Sequence, residues 1–345
     1  MHAIDTHCHF WPAAFLESMR GGREYFGWSA RNVTGDVFVL DGRRSHARAT
    51  LPSADLADAA TRIETRMKQQ GIVMEAVMLT GFLWNYDLAE HDSVAFARDV
   101  NDELAHVERS SDGHVGLGHL PLPHTGAAIA EVERAVKDLG LRHFGLGTNF
   151  DGRNFDHPDI VPVLDAIAEA GATVSVHPVF FDGLGTPERL TSPLLKGGLQ
   201  SPLEIGLALS TVVTSGVLDR HPEFRVWVSH GGGAAMFAIG RLDRRWGSMS
   251  EDDRPMAQTL SDYLRRFWYG NLLHNDTQLE FLMSMVGHDR VTVGTDYPYP
   301  WDHPMGSAHW VRSAEFLDEE QRRSVLWKNA VEFLGVEPTW VDEEG

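Results

Sequence analysis

The sequence is poor in cysteine, contains no long apolar run and has no excess of positive charge. Cys8 is the single cysteine among 345 residues, which excludes an internal disulfide framework and leads us to expect a reducing, cytoplasmic compartment. No run of about 18 apolar residues occurs, so we expect no membrane span. Residues Met1 to Phe10 lack the basic start and apolar core of a secretory signal, and we expect none. The net charge of −19 disfavours nucleic acids and anionic lipids as general partners.

Short apolar segments alternate with longer segments of helical periodicity. At about 150 residues per domain the length allows two domains, although α/β barrels exceed that average as single units. The segments predicted as strands are Ala3–Cys8, Glu75–Thr80, His114–Leu120, His143–Thr148, Thr173–His177, Val226–His230, Trp268–Asn271 and Val291–Thr295. The helical segments are Ser53–Gln70, Asp92–Arg109, Gly126–Leu139, Pro158–Ala170, Pro202–Leu218, Ala234–Trp246, Thr277–Val286 and Asp318–Phe333. Eight strand–helix units predict a (β/α)8 TIM barrel spanning residues 1–345 as a single domain.

Two irregular stretches interrupt this alternation. Residues 21–52 are rich in Gly, Arg and Ser but include the apolar Val37–Phe38–Val39, so we predict a small flap insertion over the barrel mouth. Residues 180–200 form a second long connection, after the fifth strand. Long connections inside a compact domain are usually functional. The spacing of Thr277 and Glu280 further predicts a capping box at the start of a helix.

The first strand carries the motif Ile4–Asp5–Thr6–His7–Cys8–His9. Side chains two residues apart on a strand share a face, so His7 and His9 project together while Cys8 faces away. Two adjacent imidazoles suit a divalent ion such as zinc. A His-x-His pair also arises by chance on strands, and the motif alone leaves both interpretations open.

Three more predicted strands end in a residue of the metal-ligand type. His177 ends the fifth strand, His230 ends the sixth, and Asp296 follows the eighth. Taken singly, each is better explained as a polar group that caps a strand or a helix. The carboxyl ends of all barrel strands meet at one rim, where barrel enzymes have their active sites. These three strand ends, together with the His7–His9 strand, therefore indicate a functional site.

These motifs resemble those of the amidohydrolase superfamily, and more narrowly its decarboxylase branch, typified by α-amino-β-carboxymuconate-ε-semialdehyde decarboxylase. The similarity covers nearly the whole chain and is strongest over residues 226–300, which contain Ser-His-Gly-Gly-Gly and Gly-Thr-Asp-Tyr-Pro. The resemblance implies one zinc ion, with water completing its coordination, and an acid/base histidine that contacts this water. The implied ligands are His7, His9, His177 and Asp296, and the implied acid/base is His230.

The lysine content favours a single metal ion. Two-metal members of the superfamily commonly bridge their ions with a carboxylated lysine at the end of the fourth strand. Here that strand ends in Thr148–Asn149, and the chain has only four lysines, at positions 68, 137, 196 and 328. Three nitrogen ligands favour zinc over manganese.

The resemblance also implies residues that bind the substrate. Arg241 matches an arginine that crosses a dimer interface to the substrate carboxylate, so we expect a homodimer, although a structural salt bridge is the alternative. Arg48 is the nearest counterpart of a flap arginine, after a two-residue shift, or else a solvated charge. His119 replaces a glutamine of the relatives and could face the pocket, as could His274. Aromatic residues at strand ends could enclose a planar ring or could simply be core: Phe10, Trp11, Trp84, Phe180, Tyr299 and Trp301.

The sequence therefore predicts a metal-dependent, non-oxidative decarboxylase, a carboxy-lyase, of a small unsaturated or aromatic carboxylic acid. In that reaction the metal-bound water and His230 deliver a proton to the carbon that carries the carboxylate, and carbon dioxide leaves. The alternative is a mononuclear zinc hydrolase or hydratase acting on a ring, lactone or amide, since the metal site alone does not separate these reactions. A barrel that binds a ligand without catalysis is the third possibility.

Overall fold

The computed structural model describes residues 1–44, 46–51, 67–179, 190, 192–299 and 302–337. Two sheets lie in this part of the chain, one of eight strands and one of three. The strands are β1 Ala3–Phe10, β2 Ser29–Thr34, β3 Val37–Asp41, β4 His46–Thr50, β5 Ile72–Leu79, β6 His114–Gly118, β7 His143–Gly147, β8 Thr173–His177, β9 Val226–Val228, β10 Phe267–Gly270 and β11 Val291–Thr292.

Helices connect the strands of the larger sheet. The α-helices are α1 Ala13–Arg20, α2 Lys68–Gln70, α3 Glu90–Ser110, α4 Thr125–Arg134, α5 Val161–Glu169, α6 Pro193–Leu195, α7 Ser201–Thr214, α8 Val217–Arg220, α9 Ala235–Trp246, α10 Leu260–Tyr263, α11 Asp276–Val286, α12 Ser307–Ser313, α13 Glu319–Arg323 and α14 Asn329–Leu334. Wider π-helical turns follow α4, α6 and α13, at Ala135–Leu139, Lys196–Gln200 and Ser324–Lys328. None of the helices in the described ranges combines the length and the apolarity needed to cross a bilayer.

The larger sheet is a parallel barrel with the order β1-β5-β6-β7-β8-β9-β10-β11. Its two ends meet where the Thr6 backbone NH donates to the Val293 carbonyl at 2.9 Å. The strands are buried along their length, as expected where helices cover the outside of a parallel sheet. The predicted (β/α)8 barrel is confirmed, with all eight predicted strands near their predicted positions.

Residues 21–52 contain the smaller sheet, in which β2, β3 and β4 pair antiparallel. Phe38 and Leu40 bury their side chains beneath it. Just before β2, the Trp28 indole NH donates to Asn85 Oδ1 at 2.8 Å, in the connection after β5. The stretch predicted as a flap thus reaches the loops at the carboxyl end of the barrel.

One predicted local feature differs from the structure, and others lie outside the described residues. Helix α11 is capped by Asn275, whose side chain accepts from the Gln278 NH at 3.2 Å, so the capping box predicted at Thr277 is wrong. Asn275 has extended backbone angles, φ −151° and ψ 129°, and its short side chain reaches back to the first turn. Most of the predicted helix Ser53–Gln70 lies outside the described residues, as do Phe180 and Trp301.

Candidate metal centre and active site

Three strands deliver four ligand-type side chains to one end of the barrel. His7 and His9 project from β1, His177 is the last residue of β8, and Asp296 lies four residues beyond β11. All four residues are buried, and their ligand atoms lie within 4.8 Å of one another. The structure therefore brings together the whole predicted ligand set.

The three imidazoles converge on a single carboxylate oxygen. Asp296 Oδ1 lies 2.7 Å from His9 Nε2, 3.3 Å from His7 Nε2 and 3.8 Å from His177 Nε2. The other ring nitrogen of His177, Nδ1, lies 3.0 Å from the Pro178 carbonyl, and this fixes which edge of the ring faces the centre. The site therefore presents three imidazole Nε2 atoms and one carboxylate, a donor set that suits a divalent transition metal.

Backbone contacts hold this arrangement from behind. Asp5 Oδ1 accepts the backbone NH of His7 at 3.0 Å and that of Thr295 at 3.2 Å, and Asp5 Oδ2 accepts the Thr295 hydroxyl at 2.5 Å. Gly294 lets the two segments approach, since a Cβ at this position would lie 2.7 Å from His7 Cβ. Asp5 thus ties the strand that carries His7 and His9 to the segment that carries Asp296.

Shifted pKa values give Asp296, His9 and His177 the protonation states of metal ligands. Burial lowers the pKa of His9 and of His177, and outweighs the opposing effect of Asp296. Burial alone would raise the pKa of Asp296, but His7, His177 and His9 together hold it well below its usual range. The centre therefore holds an ionised Asp296 carboxylate that faces the neutral imidazoles of His9 and His177, the forms in which these groups bind a cation.

The donor atoms also pass a test of fit. Neither ring nitrogen of His7 makes a hydrogen bond within the described residues, and nor does His177 Nε2. A buried polar atom without a partner costs free energy unless something else satisfies it. A metal ion would satisfy these nitrogens together, so the residues present fit a metal ion.

His230 stands beside the ligand set without belonging to it. Its ring centroid lies 5.2 Å from that of His7 and 5.8 Å from that of His177. It follows β9 with a left-handed backbone, φ 50°, which turns the chain away from the barrel wall. Burial and then the neighbouring His7 lower its pKa to about 3, so the imidazole is neutral at pH 7. His230 is therefore a neutral imidazole beside the ligand set, and its pKa lies well below the unperturbed value near 6.5.

Aromatic rings line the histidine cluster. The Trp84 ring lies nearly parallel to that of His177 and is stacked on it, with an interplanar angle of 3° and 6.4 Å between ring centroids. Tyr299 meets the His9 ring edge-on at 5.1 Å, and its hydroxyl is hydrogen-bonded to Thr80. Both predicted residues therefore adjoin the metal ligands. Trp11 packs on Phe82 at 4.9 Å and belongs to the core.

His119 lies one ring away from the centre. It is fully buried, stacks on Tyr86 at 5.5 Å and meets Trp84 at 5.9 Å. Burial lowers its pKa to about 3, and its Nδ1 has no hydrogen-bond partner among the described residues. The structure places His119 behind Trp84, and His274 is exposed beyond β10.

Of the two predicted substrate arginines, the structure describes the side chain of Arg241. Arg241 is exposed on α9, and Arg48 lies on β4 with a side chain outside the described set. Phe180 also lies outside the described residues. At the position of the bridging lysine, Thr148 donates to Glu204 Oε2 at 3.0 Å, in agreement with a site for one metal ion.

Sequence reasoning missed two ion pairs between the small sheet and the barrel rim. Arg44 Nη1 lies 2.6 Å from Asp151 Oδ1, and Arg43 Nε lies 2.9 Å from Asp87 Oδ2. Both arginines lie in the turn between β3 and β4. No spacing signal links them to their partners, since the pairs join segments that the fold alone brings together.

Comparison with known proteins identifies the family. The amidohydrolase family model matches residues 4–336, so the chain belongs to the amidohydrolase family. A 2-amino-3-carboxymuconate-6-semialdehyde decarboxylase of Dictyostelium discoideum is 29% identical over 341 residues, which cover 97% of this chain and 92% of the relative. The resemblance predicted from the motifs is confirmed, and the named relative is a carboxy-lyase, as expected for this chain.

Solved structures agree on the fold. The 5-carboxyvanillate decarboxylase of Novosphingobium aromaticivorans, solved with manganese and 4-hydroxy-3-methoxy-5-nitrobenzoic acid, superposes with a TM-score of 0.73 at 20% identity. The match covers 97% of this chain and 96% of that one. A 2,6-dihydroxybenzoate decarboxylase in complex with its acid gives 0.74 at 19% identity, over 97% and 98% of the two chains. Similarity at this level supports the barrel architecture.

Proposed function

We propose that this protein is a mononuclear, zinc-dependent, non-oxidative decarboxylase of a small aromatic or unsaturated carboxylic acid. The observation that carries the proposal is the convergence of His7, His9, His177 and Asp296 on one point, with His230 beside them at the carboxyl end of the barrel. Membership in the amidohydrolase family and a decarboxylase relative that aligns along nearly the whole chain support the same conclusion.

Zinc is the proposed metal because three of the four donor atoms are imidazole nitrogens. A relative was solved with manganese, and that ion is the competing candidate. When bound, the ion supplies a Lewis acid that polarises a substrate oxygen. Both ring nitrogens of His7 and the Nε2 of His177, which make no hydrogen bond among the described residues, gain most from its presence.

His230 is the proposed proton carrier. Its imidazole is neutral at pH 7, so it first takes a proton from water or from a substrate hydroxyl and then delivers it to the carbon that bears the carboxylate. The oxygen that gave up the proton regains one from the solvent. That carbon gains a C–H bond, the C–C bond to the carboxylate breaks, and carbon dioxide leaves. No electrons are gained or lost overall, so the reaction needs neither oxygen nor a redox cofactor.

The walls of the site suit a planar substrate. Trp84 and Tyr299 flank His177 and His9 with ring faces and edges, and they would confine an aromatic or conjugated acid next to the metal. His119 would support this wall from behind, through Trp84. We propose that Phe180 completes the wall, and that Arg48 and Arg241 bind the substrate carboxylate through charge-assisted, forked hydrogen bonds.

Arg241 can reach a substrate only if α9 joins a second copy of the chain, so the proposal includes a homodimer. Phe237 is 80% exposed on α9 and stacks on Phe281 with 5.1 Å between ring centroids. Phe237 and Arg241 are four residues apart and therefore share one face of the helix. An exposed aromatic beside an arginine is typical of an interface core.

We also propose a cytoplasmic location. The single cysteine, Cys8, is buried, and its thiol donates to the Ala76 carbonyl, which suits a reducing compartment.

The proposed reaction is tested by carbon dioxide release from salicylate-type, resorcylate-type and picolinate-precursor acids. We expect His230→Ala to keep its metal and to lose about 10²- to 10⁴-fold in turnover, the usual contribution of a general acid or base. His91→Ala, at an exposed histidine on α3, is the matched control. An unchanged rate, or a His230→Ala protein that binds no metal, would contradict the role assigned to His230. If the protein adds water to a lactone or amide and releases no carbon dioxide from any of the acids, the result would support the hydrolase instead.

The dimer has its own test. We expect a wild-type molar mass in solution of twice the chain mass, and we expect Phe237→Asp to shift it to that of the monomer, because the charge would be buried at the interface. Light scattering after gel filtration measures both, with Met305→Asp as the control at another exposed apolar residue. A monomeric wild-type protein would remove the route by which Arg241 reaches a substrate.

A further inference from the structure

A cavity opens at the end of the barrel opposite the histidine cluster. Its volume is about 810 Å³, within the range of small-molecule sites. It is bordered by the residues that precede β8, β9, β10 and β11, which start at Thr173, Val226, Phe267 and Val291. The amino ends of the strands face it, so it is separate from the candidate active site.

The lining of this cavity is strongly basic in an otherwise acidic protein. Its carboxylates are Glu223 and Glu332, whereas the chain as a whole carries a net charge of −19. The cationic groups on the lining are Arg220, Arg225, Arg265, Arg266 and Arg290. Guanidinium groups concentrated around a concavity of this size are suited to phosphate or carboxylate.

Two of these guanidinium groups donate to carbonyl oxygens and form no ion pair with a carboxylate among the described residues. Arg225 Nη1 donates to the Glu332 carbonyl at 2.7 Å, and Arg266 donates to the Leu218 and Pro222 carbonyls at 2.8 and 2.6 Å. Neither has a carboxylate within 4 Å among the described residues, in contrast to Arg220, which pairs with Asp165. Each guanidinium has five NH donors, so several donors of Arg225 and Arg266 are free for a ligand.

A tryptophan ring forms part of the wall of this cavity. Trp268, on β10, lines the same cavity and is only 6% exposed. Its indole NH has no hydrogen-bond partner among the described residues, and an indole nitrogen can only donate. The guanidinium of Arg290 lies over the Trp268 ring, 4.9 Å from its centroid, and holds the indole in place.

We infer that this cavity binds a small polyanion, a metabolite that carries phosphate or diphosphate. Arg225 and Arg266 are its main charge partners, and Arg265 and Arg290 surround it. Phosphate is favoured over a single carboxylate because its several oxygens can occupy donors on several sides of the cavity at once.

The test uses inorganic pyrophosphate as the probe and isothermal titration calorimetry on the full chain. We expect a single class of sites that weakens as ionic strength rises. Arg225→Gln and Arg266→Gln should each weaken binding by about 10- to 100-fold, the usual effect of losing a charge-assisted hydrogen bond. Arg109→Gln, an exposed arginine on α3, carries the same charge change away from the cavity and should leave binding unchanged.

Several outcomes would overturn the inference. Absence of pyrophosphate binding at low salt would do so, as would equal weakening by the control substitution, or tighter binding of citrate than of pyrophosphate. Melting temperatures identify a variant that fails to fold. Arg265→Gln then serves in its place, because that side chain is 59% exposed and pairs with Asp289 at the surface. Loss of pyrophosphate binding in Arg265→Gln supports the inference, and unchanged binding there contradicts it.

Discussion

At the scale of single residues, the site is held by groups that do not themselves face the centre. Asp5 accepts three hydrogen bonds from the two segments that carry His7 and Asp296. Gly294 removes the Cβ that would otherwise collide with His7. The order of the ligand cluster therefore depends on the junction between β1 and the residues after β11.

Asp5→Asn is predicted to weaken metal binding by about 10- to 100-fold, as is usual when a group that orients a ligand is lost. The amide has one acceptor oxygen where the carboxylate has two, so a bond to His7 or to Thr295 is lost. Competition with a fluorescent chelator measures the affinity. Asp138→Asn, at an exposed aspartate, controls for the change in charge. Unaltered affinity in Asp5→Asn would show that the junction does not position the ligands.

The ligand residues could be predicted from the sequence because each follows an apolar strand whose end is recognisable. The rule that barrel strands present their carboxyl ends at one rim brought together His7, His9, His177, His230 and Asp296. The resemblance to the amidohydrolase superfamily then separated the four ligands from His230. The pairs Arg44–Asp151 and Arg43–Asp87 could not be predicted, because their partners come together only through the fold. The lowered pKa of His230 was likewise beyond the sequence, since it arises from burial among other rings.

At the scale of secondary structure, the first turn of helix α1 is capped by a carboxylate of α3, that of Glu103. Glu103 accepts the Ala13 backbone NH through both carboxylate oxygens, at 2.7 and 3.1 Å, and so satisfies a free NH in the first turn. Burial raises the pKa of Glu103 to about 7, and repulsion from Asp99 and Glu17 adds to this, although the Ala13 bond opposes it. The burial of this carboxyl group therefore makes stability depend on pH.

Glu103→Gln is predicted to gain stability relative to the wild type as pH rises from about 4.5 to about 7. In that window the folded wild type keeps a proton on Glu103 that the unfolded chain has released, so its stability falls with rising pH. The gain should reach about 1–3 kcal/mol, after allowance for partial exposure of the carboxyl group. Urea unfolding at pH 5 and pH 8 measures it. Glu133→Gln, at a surface ion pair, should show no such trend, and a flat difference for Glu103→Gln would refute the linkage.

Elements were predictable where the pattern was long and apolar. Helix α3 was expected over Asp92–Arg109 and spans Glu90–Ser110, with Phe96, Val100 and Leu104 buried along one stripe. The cap of α11 was placed at Thr277 because the sequence shows capping-type residues at several adjacent positions. Only the extended backbone at Asn275 distinguishes the residue that caps the helix.

At the scale of the whole molecule, the barrel separates two chemistries on opposite ends. The carboxyl end gathers buried imidazoles around one carboxylate, whereas the amino end gathers arginines around a cavity. The family-wide barrel explains the first end, since the model of the family matches residues 4–336. The second end is a property of the particular residues of this chain, and it was not visible in a linear sequence where its arginines are scattered over 71 positions, from Arg220 to Arg290.

The central claim is that four side chains bind one metal ion at the carboxyl end of the barrel. Metal content by mass spectrometry, after incubation with zinc and removal of free ion, tests it most directly. We expect a zinc content of about one ion per wild-type chain and almost none in His177→Ala, because the loss of one of four ligands opens the site. A wild-type chain without bound zinc, or a His177→Ala chain that keeps its full complement, would contradict it.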